Sequence, residues 1–143
     1  MLTTQIDDQV ESPGPVTPGL GLLPASVTFD LEKTLGRPRG SWQGHDVTAY
    51  EIHHGSVDRH GGEAFLDGIR EGTTWGTIWH GAFENDGFRR AWLTEVAASV
   101  GSSWAPRPNA LGFADRRRQM LDDLADALEA HVDLPALLAA ARG

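Results

Sequence analysis

The sequence predicts an α/β fold in which strands and hairpins come first and helices last, the pattern of the C-terminal portion of a larger sheet. Three observations predict it. Runs rich in β-branched and aromatic residues, such as "VTAYEIHH" and "TTWGTIW", all lie before residue 80. Helical periodicity takes over only after Asn85. Strands and helices are not interleaved, so parallel strands and the helices that cover them are expected to belong to a front half outside this sequence. At 143 residues the chain has room for one domain at most.

The elements follow in order. Residues 1 to 19, with "DDQVESPGPVTPG", are polar and rich in Pro and Gly and are expected to be loop; residues 20 to 143 are expected to be the partial domain. "GLGLLPASVTFD" predicts a Pro turn and a strand around Ala25 to Phe29. "GRPRGSWQGHD" predicts a turn or hairpin connection, and "VTAYEIHH" a strand whose alternate side chains face opposite ways. "GSVDRHGGEAFLDGIREG" is expected to be mostly loop with room for a hairpin. "TTWGTIW" is the next strand. Asn85 and Asp86 are good N-cap residues for a helix to about Ser99, and Phe88, Trp92, Leu93 and Val96 give it one buried face. "GSSWAPRPNALG" breaks the pattern. A second helix carries Met120, Leu121, Leu124 and Leu128 on one side, and a last short helix starts at Leu134–Pro135, where proline is tolerated in the first turn.

Composition narrows the function. A net charge of −8 opposes nonspecific binding to nucleic acid or anionic membranes. No stretch has the length of a membrane span, and "MLTTQIDD" has neither a basic region nor an apolar signal core, so the expected location is cytoplasmic. The chain has no cysteine, hence no disulfide, zinc-thiolate site or thiol nucleophile of its own.

Chemistry concentrates at "WGTIWHGAFENDGFRR". His80 ends an apolar strand, and Gly76 and Gly81 leave space for close backbone approach. A side chain at the end of a sheet strand projects toward the crevice where ligands bind, and imidazole titrates near neutral pH as a general base must. The same pattern also describes a histidine that caps a strand by bonding a neighbouring carbonyl. His53 and His54 are adjacent on a strand and face opposite ways; adding His45 and His60 gives no metal-site spacing, so no metal ligands are assigned. Arg116 to Arg118, beside Asp115, Asp122 and Asp123, read as a solvated face with paired charges.

Several segments taken together resemble the cobyric acid synthase family. "GLGLLP", "YEIHHG" and "WGTIWHGAFENDGFRRAWL" occur in the order and at about the spacing of that family's "GLGLLP", "GYEIHMG" and "GTYLHGLFDND" motifs, over about Met1 to Leu93 and more weakly through the tail. The resemblance implies the C-terminal part of a triad-type (class I) glutamine amidotransferase domain with a flavodoxin-like fold. "MLTTQIDD" resembles the segment that follows the family's nucleophile turn, so the nucleophilic cysteine is expected about five residues before Met1. Loop 1–19 would then follow that turn.

By resemblance, His80 matches the histidine that takes the thiol proton and passes it to leaving ammonia. Tyr50, Glu51 and His53 match the segment lining the glutamine pocket. Related amidotransferases carry an orienting Glu two residues after the histidine; here that position is Ala82, and Glu84 and Glu51 are the candidates to orient His80. The full enzyme would use ATP, Mg²⁺ and glutamine-derived ammonia to amidate corrin carboxylates in cobalamin biosynthesis. None of the ATP or corrin machinery can be placed on this sequence, so no cofactor is assigned to this chain. Its expected partners are glutamine and an N-terminal part, or a separate chain, carrying the cysteine and the ATP-binding domain. This chain alone is expected to be inactive. Two alternatives stand beside that reading: a noncatalytic subunit or remnant that completes a partner's fold, and a degenerate small-molecule or metal-binding domain.

Overall fold

A computed structural model describes residues 1–142. Among them the order is strands first and helices last: nine strands end at Gly76 and three α-helices follow. Residues Met1–Pro106 form one compact unit, and the residues from Arg107 form a second.

The main sheet of the first unit has four strands. β1 (Gln5–Asp8) pairs with β2 (Thr17–Pro18) antiparallel and with β3 (Ala25–Gly36) parallel; β3 pairs antiparallel with β6 (Glu51–Arg59). Two of these strands lie in residues 1–19, where local composition predicts loop. The reason is long-range pairing: Ile6 sits opposite Val27 and Asp7 opposite Thr28, so β3 supplies a template that the polar sequence does not reveal. Along β3, Ala25 and Val27 are buried and Thr28 is exposed, the period-2 pattern of a half-buried strand. The strand continues past Phe29 to Gly36 because β6 accompanies it. The register shifts between Phe29 and Thr34, a bulge in which the His54 ring meets the Asp30 carbonyl at 3.1 Å.

β4 (Arg39–Trp42) and β5 (His45–Thr48) form the expected hairpin. Its two-residue turn, Gln43-Gly44, has positive φ at both positions (47° and 77°), as a type I′ turn requires. The next stretch is more ordered than the expected loop. β6 runs to Arg59, and β7 (Glu63–Phe65), β8 (Gly68–Glu71) and β9 (Thr74–Gly76) make a three-stranded antiparallel meander. At Gly76 a Cβ would lie 2.4 Å from Leu23 Cδ1, so a side chain there would push that methyl group aside.

α1 (Asp86–Ser99) starts where the sequence places it and buries Phe88 and Ala97. Phe88 is wholly inaccessible and packs with Val47, Phe65 and Ala82, ringed by Trp42, Trp75, Trp79 and Trp92. Trp42 meets Phe65 and Phe88 edge-on at 5.9 and 5.8 Å, the geometry the ring quadrupoles favour. A smaller cluster joins Leu23, Ala25 and Ile69. Arg70 ties β8 to α1 through Glu95 at 3.1 Å, with its guanidinium 4.8 Å from the Trp75 ring centroid.

The second unit holds α2 (Phe113–His131) and α3 (Leu134–Arg142). Arg118 pairs with Asp115 at 3.3 Å on an exposed face, and Asp133 caps α3 by accepting the Ala136 N–H at 3.0 Å. No helix among the described residues is long and apolar enough to cross a membrane.

Candidate functional site

His80 stands just beyond the meander, where β9 has ended and a short 3₁₀ turn (Ala82–Glu84) has yet to begin. Its backbone is held by an isolated antiparallel bridge to Tyr50. The Tyr50 N–H donates to the His80 carbonyl at 3.0 Å, and the His80 N–H donates to the Tyr50 carbonyl at 2.9 Å. Residues opposed in an antiparallel bridge point to the same side. Accordingly the two rings stack, with centroids 5.1 Å apart and planes within 17°. The His80 imidazole is exposed.

The chain on either side of His80 is braced. On the approach, the Asp67 carboxylate accepts the Thr77 hydroxyl and, at 3.4 Å, the Ile78 N–H; the Thr77 hydroxyl in turn accepts the Trp79 N–H at 3.1 Å. On the exit, Gly81 has φ 72°, the left-handed region that favours glycine, and a Cβ there would lie 3.2 Å from Tyr50 Cε1. Asn85 then ties the turn to β5: its amide donates to the carbonyls of Thr48 and Ala82, both at 2.8 Å, while its oxygen accepts the Thr48 N–H. Arg89 reaches back to the Phe83 carbonyl at 2.6 Å. The result is an exposed imidazole on a rigid main chain, able to take a proton from a group that approaches its open side.

The residues expected to line the glutamine pocket divide between two faces. Tyr50 lies against His80. Three positions on, His53 points the other way, into a cavity of about 320 Å³ walled mainly by apolar residues, including Leu2, Val27, Val57, Ile69 and Ile78. Neither Tyr50 nor His80 lines that cavity. Both ring nitrogens of His53 are buried without a hydrogen-bond partner, and Glu51 Oε1 approaches Nε2 only to 3.7 Å. Glu51 is half-buried, its other oxygen beside Gly36. Glu84 Oε1 lies near Gly81, and among the described residues no hydrogen bond joins it to the His80 ring. Ala82 is buried in the Phe88 cluster.

Sequence reasoning did not single out Asp67 or Thr77 as braces, and it read Asn85 as a helix cap. Asn85 does occupy the N-cap position of α1, but its side chain makes no cap bond there. The signal for its real task, an amide matched to an extended backbone 37 residues away, exists only in three dimensions. Among the described residues no group of three His, Asp or Glu side chains is placed to hold a metal ion.

A family profile described as a CobB/CobQ-like glutamine amidotransferase domain matches residues 1–88, a span that contains Tyr50 and His80. The chain is 53% identical over 133 residues to a cobyric acid synthase of Cutibacterium acnes, covering 92% of this chain and 28% of that protein. It is 52% identical over 137 residues to the cobyric acid synthase of Streptomyces coelicolor, with 96% and 27% covered, and 45% identical over 139 residues to that of a Mycobacterium species. The chain thus spans little more than a quarter of the length of these relatives. With the profile covering more than half of its residues, the chain belongs to the family of CobB/CobQ-like glutamine amidotransferase domains.

Proposed function

We propose that this chain supplies the general base of a cobyric acid synthase-type glutamine amidotransferase, with His80 as that base. The observation that carries the reading is the braced, exposed imidazole of His80 within the span matched by the amidotransferase profile. In the reaction, a thiol outside residues 1–143 gives its proton to His80 as its sulfur attacks the side-chain carbonyl carbon of glutamine. The proton then passes to the departing nitrogen, which leaves as ammonia, and water hydrolyses the thioester to glutamate. The thiol must come from elsewhere because this chain has no cysteine.

By the same reading, the ammonia serves ATP-dependent amidation of corrin carboxylates in cobalamin biosynthesis. No part of that ATP- and Mg²⁺-dependent step is assigned to residues of this chain. Of the "YEIHHG" segment, Tyr50 is the residue that lies beside His80. His53 belongs to the opposite face.

The absence of cysteine among residues 1–143 leaves a second reading beside this one, in which the chain completes the fold of a partner without taking part in chemistry. One experiment separates the two. The purified chain, alone and combined with the cysteine-bearing portion of a cobyric acid synthase, is assayed for ammonia release from glutamine. The expected result is no release alone, release from the combination, and loss of release with His80→Ala. His80-dependent release from the chain alone would overturn the requirement for an external thiol. Full release from the combination carrying His80→Ala would leave only the noncatalytic reading.

A further inference from the structure

A base that accepts a proton on one ring nitrogen needs its ring plane and rotamer held, and in the Ser-His-Asp arrangement a hydrogen-bonded acid does this. Among the described residues no acid takes that part at His80. Ala82 is packed among Val47, Phe65 and Phe88, so a carboxylate at position 82 would be buried in apolar surroundings without a partner. Glu84 is exposed and makes no hydrogen bond to the ring among the described residues. What the ring does have is a face. Tyr50 lies parallel to it, and the two backbones are locked in register by both bonds of the bridge. Gly81 leaves the edge of the tyrosine ring unobstructed, because a side chain there would meet Cε1 and Cδ1 at 3.2 and 3.4 Å.

We propose that Tyr50 is the positioning residue for His80: its ring fixes the plane of the imidazole by stacking, in place of an orienting acid. This rests on the reading of His80 as the base and adds to it the group that holds that base. Stacking restrains the plane of the ring but leaves both ring nitrogens open at its edge. One can therefore accept the thiol proton while the other stays accessible. The contact needs an aromatic face, not the phenolic hydroxyl, so phenylalanine should serve and an aliphatic side chain should not.

The test is NMR on the full chain, following the ring-proton shifts of His80 and its side-chain coupling constants in the wild type, Tyr50→Phe and Tyr50→Leu. The expected result is an upfield ring-current displacement and a single rotamer in the wild type and the phenylalanine variant. Tyr50→Leu should lose the displacement and average its couplings. Should Tyr50→Leu not fold, Tyr50→Trp decides, because stacking on the larger indole must alter the displacement of the His80 protons relative to phenylalanine. In the combined glutaminase assay, Tyr50→Leu should lower kcat about tenfold with little change in KM, and Tyr50→Phe should restore it. His80 shifts and couplings indifferent to residue 50 would overturn the proposal while leaving His80 as base untouched. Retained hydrolysis by His80→Ala would remove the base and leave the stacking result standing.

Discussion

Asn85 and Thr48, 37 residues apart, are joined by three hydrogen bonds. The asparagine oxygen accepts the Thr48 N–H at 3.1 Å and the Thr48 hydroxyl at 3.0 Å, and its amide donates to the Thr48 carbonyl at 2.8 Å. With a fourth bond to the Ala82 carbonyl, this one side chain fastens the turn after His80 to the end of β5. Removing it leaves several polar groups without partners. Asn85→Ala is expected to cost about 1–3 kcal/mol, read from the denaturant midpoint. Asn85→Asp should fare no better, because a carboxylate cannot donate to the two carbonyls. Unchanged stability in both variants would show that the staple is idle.

Gly81→Ala should destabilise by about 1–2 kcal/mol, the usual cost of an L-residue in the left-handed region. The Tyr50 ring, 3.2 Å from the new Cβ, must also shift. The added methyl should therefore disturb the His80 ring signals as well as the melting temperature. A variant that melts early but keeps wild-type His80 shifts would separate backbone strain from the stack.

His53 carries two buried ring nitrogens without hydrogen-bond partners at the wall of an apolar cavity, with Glu51 no closer than 3.7 Å. Replacing an unsatisfied polar group by an apolar one of similar shape is neutral or favourable, so His53→Leu should hold stability or raise it by up to about 1 kcal/mol. Thermal melts decide this. A clear loss of stability would mean that the ring has a partner in solution.

Asp8 opens a tight turn in which its carboxylate accepts the N–H groups of Val10, Glu11 and Ser12 at 3.0, 2.8 and 3.0 Å. Partial desolvation pushes its pKa up, but the three backbone donors outweigh it and hold the group below its ordinary 3.8. A lowered folded-state pKa stabilises the turn fully above the ordinary value, and the contribution fades as pH falls through the folded-state value. The amide shifts of residues 10 to 12 should therefore move together with Asp8 protonation below pH 3.8, and Asp8→Ala should abolish that response. Titration of these amides at an unperturbed carboxylate value would contradict it.

What the sequence determined alone is what local chemistry encodes. Strands precede helices because β-branched and aromatic runs end where 3.6-residue periodicity begins. The hairpin closes at Gln43-Gly44 because that pair accepts positive φ. α1 starts at Asp86 with Phe88 inward. His80 was legible as the residue between an apolar run and a glycine, where local pattern left a strand cap and a general base both open.

The tertiary structure decided whatever depends on a distant partner. β1 is a strand because β3 lies beside it, despite its polar composition. β3 outlasts Phe29 because β6 runs with it. Asn85 serves as a staple because Thr48 presents an extended backbone to it. Tyr50 and His53 share one motif but serve opposite faces of a strand, one against His80 and the other in the cavity. Alternation along the strand already puts Tyr50 and His53 on opposite sides, but which side meets His80 and which the cavity follows from pairing, a long-range property.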